Sequence, residues 1–200
     1  MKLILALLLT TSYSLSFWMQ VNPLPIGSAL PKGGIKMKDV SGKLMSLQDV
    51  KTSNGLLVIF NANTCPYVLK NQARTSDIAQ YAQQKSIGIV VLNANEGYRH
   101  SEDSYAAMQK YAVAQSYKWP YAMDSDSELA DAFGATRAPE CFLFDGKSIL
   151  VYHGAIDDNP ADETKIKRQH LKEAINEMLA GKEITVKESR IIGCAIKRKG

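Results

Sequence analysis

The chain has 200 residues, enough for one domain of ordinary size with its own core. Hydrophobic residues make up 46% and charged residues 22%, a globular balance that excludes a disordered chain. The net charge of +4 comes from scattered charges of both signs, and the short cluster Lys197, Arg198 and Lys199 reads as a solvated tail, so no nucleic-acid partner is expected.

Lys2, the apolar run Leu3–Leu9 and the small polar residues ending in Ser14-Leu15-Ser16 have the layout of a secretory signal peptide, with cleavage expected after Ser16. The run is shorter than the roughly 20 residues a bilayer span needs. Leu15, Phe17, Trp18 and Met19 extend its apolar character, so an uncleaved N-terminal anchor is the alternative and the one membrane contact expected. Either way the domain itself is expected outside the cytoplasm, periplasmic or extracellular. In such a compartment three cysteines allow at most one internal bridge and leave one thiol over.

Residues 17–34, with Pro23, Pro25, Pro31 and Gly33-Gly34, read as an extended lead-in. Ile35–Val40, Ser41-Gly42-Lys43 and Leu44–Leu47 predict a short hairpin that opens the domain. Gly55–Phe60 is a continuous apolar run, the pattern of a strand buried on both faces. After the loop Asn61–Thr64, Cys65-Pro66 begins a helix expected to reach Gln84. Ile87–Leu92 is a second buried strand, followed by the loop Asn93-Ala94-Asn95-Glu96-Gly97. A helix with Tyr105, Met108, Tyr111 and Ala112 on one face starts near Ser101 or Ser104. A short strand at Tyr121–Met123 and a small helix over Ser127–Phe133 come next.

Ala138-Pro139 then leads into the strand Cys141–Phe144, and Asp145-Gly146 turns it into Ile149–His153, the clearest hairpin in the chain. A last helix is expected from about Ala161 to Leu179, stopping at Gly181, so the domain proper covers 35–182 and a tail over 183–200 carries Cys194. The order β-α-β-α-β-β-α predicts a central sheet flanked by helices, with parallel first core strands and a final hairpin. Cys65 then falls beyond the carboxyl end of a buried strand, where open α/β sheets place their sites.

Pro66 suits the first helical position, where its missing N–H costs nothing. That sets Cys65 at the N-cap, facing unpaired amides and the positive end of the helix dipole, which both favour the nucleophilic thiolate. The alternative is a buried cysteine that merely precedes a helix. Pro139 is either a cis-proline shaping a site wall or an ordinary trans proline at a strand start. His100, His153 and His170 show no metal-ligand spacing, and there is no Gly-rich phosphate loop, so neither metal nor nucleotide nor other cofactor is expected.

Four segments in order resemble the thioredoxin-like superfamily, and within it the redoxin branch of alkyl-hydroperoxide-reductase and thiol-specific-antioxidant proteins. They are Asn63-Thr64-Cys65-Pro66-Tyr67-Val68, Phe142–Gly146, Tyr152–Asp158 and Ile192–Lys197, and they look like a peroxiredoxin-like subgroup with a Cys-Pro-Tyr-Val motif. The resemblance covers roughly residues 30–199. It implies a thioredoxin fold of three α/β/α layers with a central mixed sheet, a redox role for Cys65, and a cis peptide at Ala138-Pro139.

The departures are as informative. Val68 stands where thioredoxins carry a second cysteine, and Ala62 and Val58 stand where peroxiredoxins carry a threonine and a proline. Arg137 either supplies the positive charge peroxiredoxins place near the thiolate or is a surface ion-pair residue. Cys194 is the candidate resolving thiol, with a static Cys65–Cys194 bridge as the alternative. Cys141 reads as a small buried hydrophobe. Thr64, Pro66, Tyr67, Ala138 and Asn95 are candidate substrate contacts, and Tyr67 and Trp119 are candidate walls. The expected reaction is thiol-disulfide exchange, or less readily peroxide reduction, with external thiols or a thioredoxin-like protein as electron donor. A binding or scaffold domain with a purely structural bridge is the alternative from another class.

Overall fold

The computed structural model describes residues 22–199. The expected signal peptide lies outside the described residues.

A hairpin of β1 (Met37–Asp39) and β2 (Leu44–Met45) opens the domain, followed by the one-turn helix α1 (Leu47–Val50). Ser46 and Asp49 close a reciprocal capping box on α1. β3 (Leu56–Asn61), α2 (Pro66–Lys70), α3 (Gln72–Gln84) and β4 (Gly88–Asn93) form the first crossover unit. Then come α4 (Tyr105–Ala114), β5 (Tyr121–Met123), α5 (Glu128–Phe133), β6 (Arg137–Ala138), β7 (Glu140–Phe144), β8 (Leu150–Gly154), α6 (His170–Leu179) and β9 (Cys194–Ala195).

Seven strands form one mixed sheet in the order β2-β1-β5-β4-β3-β7-β8. β3 pairs parallel with β4 and antiparallel with β7, and β7 pairs antiparallel with β8. Alternate residues of the apolar strands serve two different cores, which is why the strands are apolar without alternation. Leu57, Ile59, Ile89, Val91, Cys141 and Leu143 share a cluster with residues of α3, α4 and α6. Leu56, Val58, Phe60, Val90, Leu92, Phe142 and Phe144 share the other with α1 and α5, where Phe133 and Phe142 meet edge to face at 5.1 Å. The fold is thus the three-layer α/β thioredoxin fold, with its mixed sheet between two helical layers.

From residue 22 the lead-in runs beside β8, but it is not extended throughout, since turns interrupt it at 26–27 and 31–34. Gly27 donates to the Leu150 carbonyl at 2.8 Å and Leu30 to that of Ser148 at 2.8 Å, so edge groups of the β7–β8 hairpin are covered.

Two helices differ from expectation. The helix after Cys65 breaks at Asn71, whose side-chain amide donates to the carbonyls of Tyr67 and Pro160 at 2.7 and 3.1 Å. That side chain ties the kink to a distant loop. The last helix starts at His170 rather than Ala161, with only a short 3-10 turn over Glu163–Lys165 before it. Backbone groups there bond elsewhere: Lys167 donates to the Asp158 carboxylate at 3.0 Å, Asp158 to the Arg168 carbonyl at 3.1 Å, and Leu171 to that of Ile156 at 3.1 Å. Arg74 pairs with buried Asp157 at 2.6 Å and pins the same loop. The Asp157-Asp158 pair therefore organises a loop that packs on α3.

Candidate active site

The site is assembled where β3 and β4 end. Asn61 and Asn93 face one another in register at those ends. Buried Asp103 organises the loops beyond them, accepting from the Asn63 backbone N–H at 2.9 Å and from the side chains of Asn93 and Asn95 at 2.6 and 2.8 Å. This network holds the loop that delivers Cys65.

Cys65 is the N-cap of α2, with Pro66 in the first helical position. Its side chain makes no capping hydrogen bond and no acidic residue stands in the first turn, so the sulfur borders amides that favour negative charge. Cys65 is only 4% exposed and packs with Ala62, Val68 and Ala138, against the half-buried Tyr67, Tyr111 and Cys194. It is disulfide-bonded to Cys194, with Cα atoms 5.9 Å apart across a separation of 129 residues.

The Ala138-Pro139 peptide is cis, and the Ala138 carbonyl oxygen lies 3.3 Å from the Cys65 sulfur. The tail returns to this loop as a strand: β9 pairs antiparallel with β6, with Arg137 opposite Ala195 and Ala138 opposite Cys194. Gly193 passes so close that a Cβ there would meet the Ala138 carbonyl oxygen at 2.4 Å. Any larger residue forces the backbone apart.

Arg137 is turned to the tail strand. Its guanidinium donates to the Gly193 carbonyl at 3.0 Å, and it forms no ion pair among the described residues. Asn95 is committed to the tail and the network, donating to Asp103 and accepting from the Lys197 backbone N–H at 2.9 Å. Thr64 and Pro66 are exposed beside the bridge, whereas Trp119 is buried in the core on the α3 side. Cys141 is fully buried between β3 and β8 partners, and burial pushes its thiol well above the usual range, with the Glu140 and Asp157 carboxylates adding to the rise. It is chemically inert there.

Sequence reasoning missed Glu140 and His153. Glu140, 1% exposed and next to Pro139, accepts from the backbone N–H groups of Thr136 and Arg137 at 2.9 and 2.8 Å. Its other oxygen lies 2.7 Å from His153 Nε2, and the His153 ring stacks on Phe142 at 4.4 Å. His153 in turn exchanges backbone hydrogen bonds with Lys187 and Ser189 at the start of the tail. One buried carboxylate thus holds the cis-proline loop on one side and a strand tied to the tail on the other. Glu140→Ala is expected to cost about 3–5 kcal/mol in urea unfolding, because it strands a buried imidazole and two part-buried amides. Glu140→Gln, which keeps an acceptor, should lose clearly less.

The Redoxin family model matches residues 25–169. Two solved structures cover nearly the whole chain. A hypothetical protein of Sinorhizobium meliloti 1021 is 29% identical with a TM-score of 0.80, over 90% of this chain and 97% of that one. An uncharacterized conserved protein of Geobacillus kaustophilus is 30% identical with a TM-score of 0.81, over 88% and 93%. The thiol-disulfide oxidoreductase ResA of Bacillus subtilis (strain 168) is 25% identical over 125 residues, 62% of this chain. That match spans 65% of ResA, just under two thirds of its length. The family model covers well over half of the chain, its fold is that of the thioredoxin superfamily, and the chain belongs to the Redoxin family.

Proposed function

We propose that this chain is an exported thiol-disulfide oxidoreductase in which Cys65 is the nucleophile and Cys194 the resolving thiol. One observation carries the reading: the N-cap sulfur of α2 is bonded to a cysteine in a tail laid against the cis-proline loop. In the reduced chain, first-turn amides and the helix dipole favour the Cys65 thiolate, which attacks a substrate disulfide. Cys194 then attacks the Cys65 sulfur and frees the substrate, and an external thiol or thioredoxin-like reductant restores the dithiol. Ala138 and Pro139 wall the sulfur, and exposed Thr64 and Pro66 with half-buried Tyr67 stand on the side a substrate approaches. Similarity to a protein named thiol-disulfide oxidoreductase supports the same chemistry. Export rests on the layout of residues 1–16.

Peroxide reduction finds less support, since buried Ala62, where peroxiredoxins carry a threonine, offers no hydroxyl to a peroxide and the Arg137 guanidinium is engaged by the tail. The burial of Cys65 favours one other reading, a binding or scaffold domain with a static bridge. Catalysed reduction of a protein disulfide by a dithiol, followed by thiol release, separates them. Turnover above the dithiol alone is expected, and its absence would leave only the scaffold.

A further inference from the structure

We propose that the seat occupied by the Cys194 tail is a binding groove for an extended, cysteine-bearing segment of a partner protein, and that the tail spells out the groove's preference. The inference rests on the oxidoreductase reading and names its substrate class: a polypeptide disulfide whose cysteine follows a glycine, precedes an apolar residue by two positions and a basic residue by four.

Much of the seat is made of contacts to groups that any peptide carries. The β6–β9 pairing supplies backbone hydrogen bonds around Cys194. Ile196 donates to the Thr136 carbonyl at 2.9 Å, and Gly97 donates to the Lys197 carbonyl at 2.7 Å. Asn95 accepts from the Lys197 N–H at 2.9 Å, and Arg137 donates to the Gly193 carbonyl at 3.0 Å. Such strand addition gives affinity through the main chain, and pockets for alternate side chains give selection.

The side-chain positions differ sharply in what they admit. Before the cysteine, the Ala138 carbonyl excludes a Cβ. One residue after it, Ala195 is exposed, and that position is free. Two after it, Ile196 is 7% exposed and belongs to the core cluster that includes Ala94 and Ala135. Four after it, Arg198 pairs with Asp131 at 2.6 Å and donates to the Ala135 carbonyl at 2.7 Å. Three of these positions impose a requirement of size, polarity or charge, and the positions between them face water.

In the exchange, tail and partner use the seat in turn. With the bridge reduced, the tail is held by contacts that a partner segment reproduces. The Cys65 thiolate attacks the partner's cysteine sulfur: the partner's S–S bond breaks, a Cys65–partner S–S bond forms, and the partner's second sulfur leaves as a thiolate that takes up a proton. The partner segment then lifts from the seat while still bonded through its cysteine. Cys194 gives up its proton, takes the seat and attacks the Cys65 sulfur, expelling the partner's cysteine as a thiolate that takes up a proton. Two electrons pass from this chain's dithiol to the partner's disulfide, and a dithiol reductant replaces them.

The test uses the reduced full-length protein and three hexapeptides, each with its cysteine as a mixed disulfide with glutathione. They are Gly-Cys-Ala-Ile-Lys-Arg, the same with valine before the cysteine, and the same with aspartate for isoleucine. Glutathione disulfide serves as a small probe and dithiothreitol as a reductant without a groove. The first peptide should be reduced at least about tenfold faster than either variant, while dithiothreitol reduces all three alike. Equal rates within about twofold, with glutathione disulfide still reduced, would overturn the groove and leave the oxidoreductase reading in place. Failure to reduce any of the four would remove both.

Discussion

Cys65→Ser is expected to reduce the proposed disulfide-reducing turnover to that of the dithiol alone. A serine hydroxyl at the start of α2 is not ionised near neutral pH, so helix-end amides that favour a thiolate have nothing to act on. Cys194→Ser should fail differently. Its Cys65 still attacks, but no second thiol releases the product, so one equivalent of substrate remains attached and intact-mass measurement reads the adduct. Cys141→Ser is expected to leave turnover in place, since that thiol is sealed in the sheet. An unchanged rate in Cys65→Ser would contradict the assignment.

Reduction of the bridge is expected to lower thermal stability by about 10–15 °C. The link closes a separation of 129 residues, and chain-entropy models assign loops of that length roughly 4–5 kcal/mol. For a domain of this size each kcal/mol moves Tm by about 2–4 °C. The tail's backbone pairing with β6, its bonds to Gly97 and Asn95 and the Arg198–Asp131 pair should weaken together, because all lie within five residues of Cys194. Calorimetry with and without reductant, with Cys194→Ser as the reduced-state reference, measures the difference. A shift under about 2 °C would mean that the bridge does not constrain the chain.

The features legible in the sequence are those that local rules determine. A six-residue apolar run can be shielded only inside a sheet covered on both faces, and it became β3. Cys-Pro marks a helix start because proline tolerates the first turn, and Cys65 caps α2. Asp145-Gly146 announced the β7–β8 hairpin. The features that escaped depend on strand register or on contacts across long separations. Nothing around Glu140 announces that its partner is His153, because only the pairing of β7 with β8 brings them together. The repeated asparagines at 61, 63, 93 and 95 were a signal, since polar residues in the same place after two apolar strands meet at one sheet end. Their centre, Asp103, comes from a third loop. The helix expected from Ala161 failed for the converse reason: its backbone bonds are claimed by a loop that Arg74 anchors from α3.

The Cys65–Cys194 bridge is proposed as a working redox couple, and its equilibrium potential is the quantity that tests this most directly. Full-length protein is equilibrated in a series of thiol-disulfide buffers, trapped by alkylation and weighed. A midpoint near thioredoxin's, about −270 mV, is expected for a pair that must open and close in use. A midpoint below about −300 mV, in the range of structural disulfides that resist reduction, would contradict it.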